Sequence, residues 1–431
     1  MSRSRSPQRL AAAIGGIVVF CAAIARADVA PEAATTGRGP STVPTAVQER
    51  DVADAPWRYS RSRGLRYLSE DRALGFYVGG MLQFDAAQFD HDKETLHNGA
   101  EVHRGRLAVS GRIARDWHYR AEGDFAGSRP ALVEGYLRYT GLHRIGVSAG
   151  LMKAPFSLEW QTSSKNTTFL ERALPLAFAP PQRVGISIDT SGSRWSAAAG
   201  GFGRTMGNAS TEDRGWGVAG RVSYAPVERN GAVLHLGLSG AYRAPDQGFN
   251  HLRIRARPEA HLADISFVDS RTIRAVDNYT VLGAEFAGAR GPTLLQAEYI
   301  HSFVNRAPGR SDLQFDGWYV FGSRFITGES HSYDARRGRF GMPTPVAPIS
   351  AKDGSGAWEV AVRYSQIDLN DAPVHGGAQH DVTYALNWYP IDRLRLMANY
   401  VIAKTDANAT GRRNHGHATP SIFELRAQLE F

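Results

Sequence analysis

A strict alternation of apolar and polar side chains along short segments most constrains what this chain can fold into. At the C-terminal end, every odd position from Phe423 to Phe431 is apolar, and every even position between them is polar. A period of two places the two kinds of side chain on opposite faces of a β-strand. About nine residues in a tilted strand can cross a bilayer, although an ordinary half-buried edge strand would show the same alternation.

The same pattern recurs in other segments, and there the polar face is often charged. Residues 117–125, 358–365 and 381–388 each set aromatic, aliphatic and small side chains against Asp, Glu, Arg or His. A water-soluble sandwich would need two large apolar faces packed tightly together. Faces that suit lipid on one side and water on the other are typical of a barrel in a membrane. The sequence therefore predicts an all-β fold, a transmembrane antiparallel β-barrel.

The spacing of these segments gives the size of the barrel. About seventeen strand-like segments lie between Gly75 and Phe431, and single-chain bacterial barrels have an even number of strands, so we expect about 16 strands around an aqueous lumen. The weakest segments are residues 184–190 and 251–266. Residues 154–183, 328–356 and 405–420 exceed a hairpin turn and are predicted to be loops.

The N-terminal end has the features of an export signal. Arg3, Arg5 and Arg9 precede an apolar stretch, residues 10–24, and residues 25–27 read Ala-Arg-Ala. The apolar stretch, about 15 residues long, is too short for a membrane-spanning anchor helix. We expect a signal peptide.

The sequence is therefore predicted to divide into three segments. We expect residues 1–27 to be the signal peptide, residues 28–64 a flexible periplasmic lead-in without periodicity, and residues 65–431 the outer-membrane barrel. The single cysteine, Cys21, lies in the signal peptide, so the exported chain would hold no disulfide and no thiolate metal site.

A motif between residues 153 and 173 resembles that of a known family. Residues 153–159 read KAPFSLE, residues 162–165 read TSSK, and residues 168–173 read TFLERA. Together with GAWEVAVRYS at 356–365 and LNWYP at 386–390, this resembles the phosphate-selective porins O and P over roughly residues 65–431. The resemblance implies a sixteen-stranded, homotrimeric outer-membrane barrel that passes phosphate or polyphosphate. It also implies that residues 154–183 fold into the lumen as a constriction loop.

The resemblance also points to residues that would contact the anion. Arg104 and Arg106 are expected to face the constriction, although the family's basic pair is adjacent and Gly105 separates this one. Asp124 faces the lumen by parity and resembles a family acid that accepts a proton-bearing phosphate oxygen. The alternatives are wall charges away from the constriction and, for Asp124, a salt bridge to a wall arginine.

Two lysines of the motif would bind or steer the anion. Lys153 and Lys165 match family lysines. By parity, Lys153 falls on the outward face of its strand. Only a change of direction before Pro155 would bring it inward.

Three arginines, Arg253, Arg255 and Arg257, alternate with apolar residues in the segment HLRIRAR at 251–257. On a barrel strand they would share the lumen face, with the apolar residues toward lipid. This resembles the arginine ladder of the family. A basic rim that meets anionic lipopolysaccharide is the alternative.

Fixed positive charge in a confined aqueous space favours anions, and arginine suits phosphate because its planar fork donates two hydrogen bonds. Phosphate-specific members tend to carry a basic residue where Met81 stands. Anion selectivity is therefore the firmer expectation, and pyrophosphate, sulfonates or organic acids are alternative substrates. A non-conducting barrel that binds surfaces is a further alternative.

An enzyme is not expected, because the sequence has no G-x-S-x-G elbow and no Ser/His alternation typical of a barrel hydrolase. His415 and His417 form a possible metal clip but are more typical of a polar loop tip. We expect no cofactor, no bound metal and no nucleic-acid partner. The expected partners are small anions, outer-membrane lipid and lipopolysaccharide of a Gram-negative bacterium, two further copies of the chain, and the barrel-insertion machinery through Phe431.

Overall fold

A computed structural model describes residues 57–60, 64–71, 73–90, 96–205, 215–229, 231–409 and 417–431. The predicted signal peptide and most of the predicted lead-in lie outside these residues. Residues 57–60, at the end of the predicted lead-in, form a β-strand instead of irregular chain.

The described chain is almost entirely β-structure. In chain order the strands are β1 (Trp57–Ser60), β2 (Gly64–Leu68), β3 (Gly75–Asp90), β4 (Gly99–Ile113), β5 (Trp117–Asp124), β6 (Ala131–Leu142), β7 (Ile145–Met152), β8 (Arg183–Ser191), β9 (Trp195–Phe202), β10 (Trp216–Arg229), β11 (Ala232–Ala244), β12 (His251–Leu252), β13 (Arg255–Ala256), β14 (Val268–Asp269), β15 (Ile273–Arg274), β16 (Val276–Arg290), β17 (Thr293–Arg306), β18 (Leu313–Phe325), β19 (Tyr333–Asp334), β20 (Arg339–Phe340), β21 (Ala357–Asp371), β22 (Val374–Ile391), β23 (Leu394–Thr405) and β24 (Ser421–Glu430).

Sixteen of these strands close into one antiparallel barrel, which confirms the predicted fold class. Each strand from β3 to β11 pairs with the next, and β16–β18 and β21–β24 complete the ring. The ring closes where β24 pairs with β3, from Ser421 opposite Asp90 to Glu430 opposite Met81. The alternating C-terminal segment is therefore the closing strand.

The chain end extends this seam by one residue. The backbone N–H of Phe431 donates to the carbonyl of Gly80 (3.2 Å), and the N–H of Gly80 donates to the carbonyl of Phe431 (2.8 Å). Beyond that point, β2 continues along the same edge of β3 by pairing with Gly75–Val78. The hairpin of β1 and β2 thus adds two strands beside the ring.

The predicted alternation holds along the strands. On β21, Val360 and Val362 are 40% and 47% exposed, whereas Glu359 and Arg363, which flank them in sequence, are buried. So many exposed apolar side chains exceed what a soluble monomer carries on its surface and fit a lipid-facing belt. The belt includes Leu107, Ile113, Trp117, Leu137, Ile186, Ile188, Val218, Val222, Leu236, Leu238, Leu282, Phe286, Leu295, Val360, Val362, Tyr384 and Leu386.

The two weakest strand predictions have opposite outcomes. Residues 184–190 lie in β8 and are part of the ring. Residues 251–266 do not form a barrel strand, and they contribute only the two-residue strands β12 and β13 to small pairs outside the ring. Among the described residues, no helix is both long and apolar enough to cross a membrane.

Three long connections turn into the lumen. Residues 153–182 (the first inner loop, between β7 and β8) and residues 245–275 (the second inner loop, between β11 and β16) leave the same end of the barrel, because an even number of antiparallel steps separates them. Residues 326–356 (the opposite insertion, between β18 and β21) enter from the other end. Its Gly338 carbonyl accepts a hydrogen bond from the buried wall residue Arg221 (2.7 Å).

Substituting alanine for Gly80 should weaken the closing seam. A Cβ at Gly80 would lie 2.4 Å from the Phe431 ring and 2.6 Å from the carbonyl oxygen of Arg106, so strands or ring must shift. We expect a loss of about 1–3 kcal/mol in the free energy of unfolding, measured by urea titration in detergent. The matched control is Gly201→Ala on β9, where a Cβ meets nothing within 4 Å. Equal stability of the two variants would contradict this view of the seam.

Candidate functional site

The first inner loop begins with a change of backbone direction at the end of β7. Gly150 has φ of +137°, and a Cβ there would lie 2.2 Å from the carbonyl oxygen of Gly135. Only glycine adopts that conformation without strain. After it, Leu151 and Met152 are both buried and Lys153 turns inward. This is the change of direction that an inward Lys153 requires.

A wall carboxylate holds the next turn of the loop. Ser157 caps the short helix α1 (Leu158–Gln161), and its hydroxyl accepts a hydrogen bond from the N–H of Trp160 (3.1 Å). The N–H groups of Leu158 and Glu159 donate to the carboxylate of Glu298 on β17 (3.0 and 2.8 Å). The free donors at the start of the helix are thereby satisfied, as a buried helix end requires.

Arginines of the opposite wall hold the middle of the loop. Arg395 on β23 donates to the carbonyl of Thr167 (2.7 Å), and Arg426 on β24 donates to the carbonyl of Leu170 (2.6 Å). Arg426 also binds Asp85 on β3 (2.6 Å) and Glu171 (3.0 Å). The loop therefore crosses the lumen from β7 to the seam strands.

Apolar side chains fill the space between the loop and the wall behind it. The last part of the loop is a 3-10 helix, Leu174–Phe178, which contacts β17, β18 and β21. The buried cluster includes Phe156, Leu158, Phe169, Leu174, Leu176, Phe178, Phe315, Tyr319, Phe321 and Ile367. This packing fixes the loop in place and narrows the lumen.

A β-bulge on β4 turns two neighbouring basic side chains toward the loop. The register between β3 and β4 shifts so that Gln83 faces Arg104 while Phe84 faces Val102, which leaves His103 as the extra residue. Val102 points outward, His103 lies against Asp85 and Glu171, and Arg104 donates to the Gln83 side chain (2.7 Å). The adjacent pair on this strand is thus His103 and Arg104.

A cavity of about 420 Å³ lies where this pair meets the two inner loops. Its charged lining residues are Arg104, Glu171, Arg172, Arg255, Arg257 and Glu259, with His261 beside them. Both carboxylates are paired with arginines of the wall: Glu171 with Arg426, and Glu259 with Arg363 (2.5 Å). The cavity is consequently lined by an excess of positive charge.

The charge around Glu171 keeps it ionised. Burial alone would raise the pKa of the Glu171 carboxyl, but Arg426, His103 and Arg104 around it lower that pKa to about 2. Glu171 therefore remains a fixed anion that holds Arg426 and the loop at neutral pH.

Comparison with known proteins shows what kind of barrel this is. The sequence model of the family described as phosphate-selective porin O and P matches residues 76–431. The chain belongs to this family. It is therefore a channel protein of the Gram-negative outer membrane and not an enzyme.

Two relatives and two solved structures are similar to this porin. Porin O of Pseudomonas aeruginosa is 27% identical over 406 residues, which are 85% of this chain and 91% of that protein. An uncharacterised protein of Caulobacter vibrioides is 29% identical over 427 residues, 93% of this chain and 84% of that protein.

The solved structures share the fold. An anion-selective porin from Comamonas acidovorans has a TM-score of 0.51 and 14% identity, covering 83% of this chain and 99% of that one. The trimer form of OmpT from Vibrio cholerae has a TM-score of 0.51 and 11% identity, covering 83% and 100%.

The arginine ladder of this porin is not on a barrel strand, so that part of the sequence prediction is wrong. Arg253, Arg255 and Arg257 lie in the second inner loop. Their alternation is real, but Ile254 and Ala256 are buried against the inner apolar cluster and not in lipid. A loop that packs one face on the inside of the wall produces the same period of two as a membrane strand.

The three arginines also divide between two places. Arg255 and Arg257 line the cavity, and among the described residues neither has a carboxylate partner. Arg253 is paired with Asp269 and lies outside that lining. Only two of the three predicted ladder arginines therefore line the same cavity as Arg104.

Arg106 and Asp124 contact each other on adjacent strands. Asp124 accepts hydrogen bonds from the Arg106 side chain (2.9 Å) and from the backbone N–H groups of Gly105 (3.1 Å) and Ala126 (3.2 Å). Arg106 also binds Glu122 (3.2 Å). The salt bridge that was the alternative for Asp124 is thus present. A role of either residue in anion binding stays a prediction.

The two motif lysines have partners of different kinds. Lys153 donates to the carbonyl of Trp160 (2.9 Å) and lies over its ring, and burial, followed by the charge of Arg172, lowers the pKa of Lys153 to about 7. Lys165 forms a salt bridge with Glu430 on the closing strand (2.6 Å). Neither lysine lines the cavity, and their proposed contact with the anion is untested.

Two further site residues, Arg172 and His103, are not predicted from the sequence. Arg172 lies inside the TFLERA motif, and it donates to the carbonyl of Thr162 (2.8 Å) while its guanidinium lies 5.3 Å from the centre of the Trp160 ring. Because Arg172 is part of this motif, the sequence could have indicated it as a site residue. His103 depends on a bulge, for which the alternation pattern carries no signal.

Removing the guanidinium of Arg426 should loosen the first inner loop. Arg426→Met would leave Asp85 and Glu171 in the lumen without their partner, which costs about 3–5 kcal/mol for buried pairs. We expect a lower urea midpoint and faster tryptic cleavage after Lys165 and Arg172. The matched control is Arg324→Met, an exposed arginine on β18. Unchanged cleavage in the Arg426 variant would show that the apolar cluster alone holds the loop.

Proposed function

We propose that this porin is an anion-selective channel for the passive uptake of phosphate or polyphosphate. The observation that carries the proposal is the charge of the cavity between the two inner loops. Four arginines line it, whereas each of its two carboxylates is paired with an arginine of the barrel wall. Two of these arginines, Arg255 and Arg257, have no carboxylate partner among the described residues. A passing anion would therefore not have to compete with a carboxylate for their guanidinium groups.

The chemistry of guanidinium supports phosphate as the substrate class. An anion in a narrow pore loses part of its hydration shell, and fixed donors must replace it. A guanidinium donates two parallel hydrogen bonds to phosphate and stays charged at any physiological pH. Arg104, Arg172, Arg255 and Arg257 come from three different segments, so the ion can pass from one to the next without being held by all.

The comparisons support the same class of substrate. The family is described as phosphate-selective, and the Comamonas acidovorans porin as anion-selective. Identity to the curated relatives is below one third, so the particular anion rests on the chemistry of this cavity.

A channel for a broader range of anions is the second candidate, and the wall around Met81 favours it. Met81 is buried and faces Arg106 in the register of β3 and β4. Arg106 in turn binds Asp124 and Glu122. This part of the wall thus offers phosphate no extra basic side chain, which would let pyrophosphate, sulfonates or organic acids compete.

Planar bilayer recordings test the proposal directly. For reconstituted wild-type protein in a KCl gradient, the sign of the reversal potential should show that chloride permeates more readily than potassium. Added phosphate should reduce the chloride conductance at roughly micromolar to millimolar concentration, since a binding site of useful affinity falls in that range. A preference for cations would refute the role of the cavity arginines in selectivity. A preference for anions without block by phosphate would favour the channel for a broader range of anions. Absence of conductance would favour a barrel that binds surfaces.

Reversing one charge in the cavity should lower anion selectivity. Arg255→Glu replaces an arginine that has no carboxylate partner among the described residues, so the anion-to-cation permeability ratio should fall by about three- to tenfold, equivalent to roughly 1 kcal/mol. The matched control is Arg290→Glu, the same change of charge at an exposed strand end outside the cavity lining. An unchanged reversal potential for Arg255→Glu would remove this residue from the anion pathway.

We also infer that the porin is a homotrimer. The Vibrio cholerae protein with the same fold is described in a trimer form, and this barrel exposes an apolar belt on which further copies can pack. Detergent-solubilised, unheated protein should have about three times the protein mass of one chain by light scattering. A monomeric mass at all protein concentrations in a mild detergent would contradict the inference.

A further inference from the structure

Two histidines and a glutamate meet at the edge of the arginine cavity. Glu101 and His103 lie on β4, and His261 lies in the second inner loop. The Glu101 carboxylate is 3.5 Å from Nδ1 of His103 and 2.5 Å from Nδ1 of His261. The two imidazole rings are edge to face, with centroids 4.2 Å apart. One potential ligand atom of each residue thus lies within 4.8 Å of those of the other two.

His103 is the observation that makes this cluster more than a group of polar neighbours. Its side chain is only 2% exposed, and neither ring nitrogen has a hydrogen-bond partner among the described residues. Buried polar atoms without a partner are rare in native structures and call for a ligand, an ion or a water. The ring is held between β4 and the loop with its Nδ1 toward Glu101.

The loop segment that carries His261 is fixed in position. Ala260 and Ala263 are completely buried in a small apolar cluster with Phe267 and Ile422. The backbone N–H of Glu259 donates to Asp381 on β22 (3.0 Å). His261 is thus presented to β4 by a packed segment, so little ordering is needed for a ligand to bind.

We propose that Glu101, His103 and His261 bind a divalent transition-metal ion such as Zn²⁺. Two imidazole nitrogens and one carboxylate oxygen are a common zinc ligand set, with a fourth position left for water or an anion. Bonds of about 2.0–2.1 Å in tetrahedral geometry put ligand atoms about 3.3–3.5 Å apart. The separation between the Glu101 carboxylate and Nδ1 of His103 already has this value, and the separation between Glu101 and Nδ1 of His261 must widen by about 1 Å.

The surroundings of His103 complete the arrangement. With the metal on Nδ1, the proton lies on Nε2, which is 3.5 Å from the carboxylate of Glu171. A ligating histidine usually directs its other N–H at a carboxylate in this way. Asp85 also lies 3.5 Å from Nδ1 of His103, but Arg426 already binds both Asp85 and Glu171. Glu171 therefore orients the ring through Nε2, and Glu101, which has no arginine partner among the described residues, is the carboxylate ligand.

The ligand types select among cations. Imidazole nitrogens favour Zn²⁺, Cu²⁺ or Ni²⁺, whereas Mg²⁺ and Ca²⁺ require oxygen ligands. A bound ion would tie the second inner loop to β4 and place a positive charge beside Arg104. The proposal concerns residues other than the four cavity arginines and holds whether or not phosphate is the transported anion.

Isothermal titration of the full-length protein with ZnCl₂ tests the site. The protein is kept in detergent, treated with chelator and exchanged into phosphate-free buffer. We expect saturation at about one Zn²⁺ per chain, and His261→Ala should weaken binding at least about tenfold, because one of the three ligands is lost. His103→Gln, which keeps a polar side chain of similar size, should do the same. His143→Ala, at an exposed turn, is the matched control and should bind as the wild type does.

Thermal unfolding gives a second readout on the same samples. Zn²⁺ should raise the Tm of the wild type and of His143→Ala and should leave the Tm of His261→Ala unchanged, since only a ligand of the folded state stabilises it. Absence of zinc binding by the wild type would overturn the proposal, and so would equal affinity in the folded His261→Ala variant. Loss of binding in His417→Ala would assign the metal to the His415–His417 loop tip and would overturn it as well.

Discussion

The rest of this structure depends on the hydrogen bonds and ion pairs between buried arginines of the inner wall and the first inner loop. A closed ring of strands separates lipid from lumen, and every second side chain must suit one or the other. The inward arginines Arg363, Arg395 and Arg426 are too buried to remain without partners. Carbonyls and carboxylates of the inner loops supply those partners, so the wall and the loops satisfy each other.

This mutual satisfaction decides where positive charge remains available. Wall arginines are used to hold the loops, and wall acids are used to hold arginines, as Asp124 does for Arg106. Two arginines without a carboxylate partner among the described residues, Arg255 in the second inner loop and Arg104 at the bulge, line a common cavity. In the proposed anion channel, selectivity would therefore depend mainly on the loops that fill the barrel, and the strands would support those loops.

The sequence was sufficient for the barrel and insufficient for parts of the site. Alternation over whole strands, as from Trp358 to Ser365, has one physical cause and was interpreted correctly. The alternation at Arg253–Arg257 has another cause, because a loop packed on the inner wall also buries every second residue. The bulge at His103 and the pairing of Lys165 with Glu430 depend on partners distant in sequence, and local periodicity holds no information about them.

The position of Arg426 and Asp85 has a consequence for the order of assembly in the membrane. These two residues lie on the first and the last strand of the ring, which become neighbours only when the ring has closed. Before closure, Arg426 and Asp85 cannot pair, since they lie on opposite edges of the open sheet. The part of the first inner loop that contacts Arg426 therefore gains its complete set of partners only when the ring has closed.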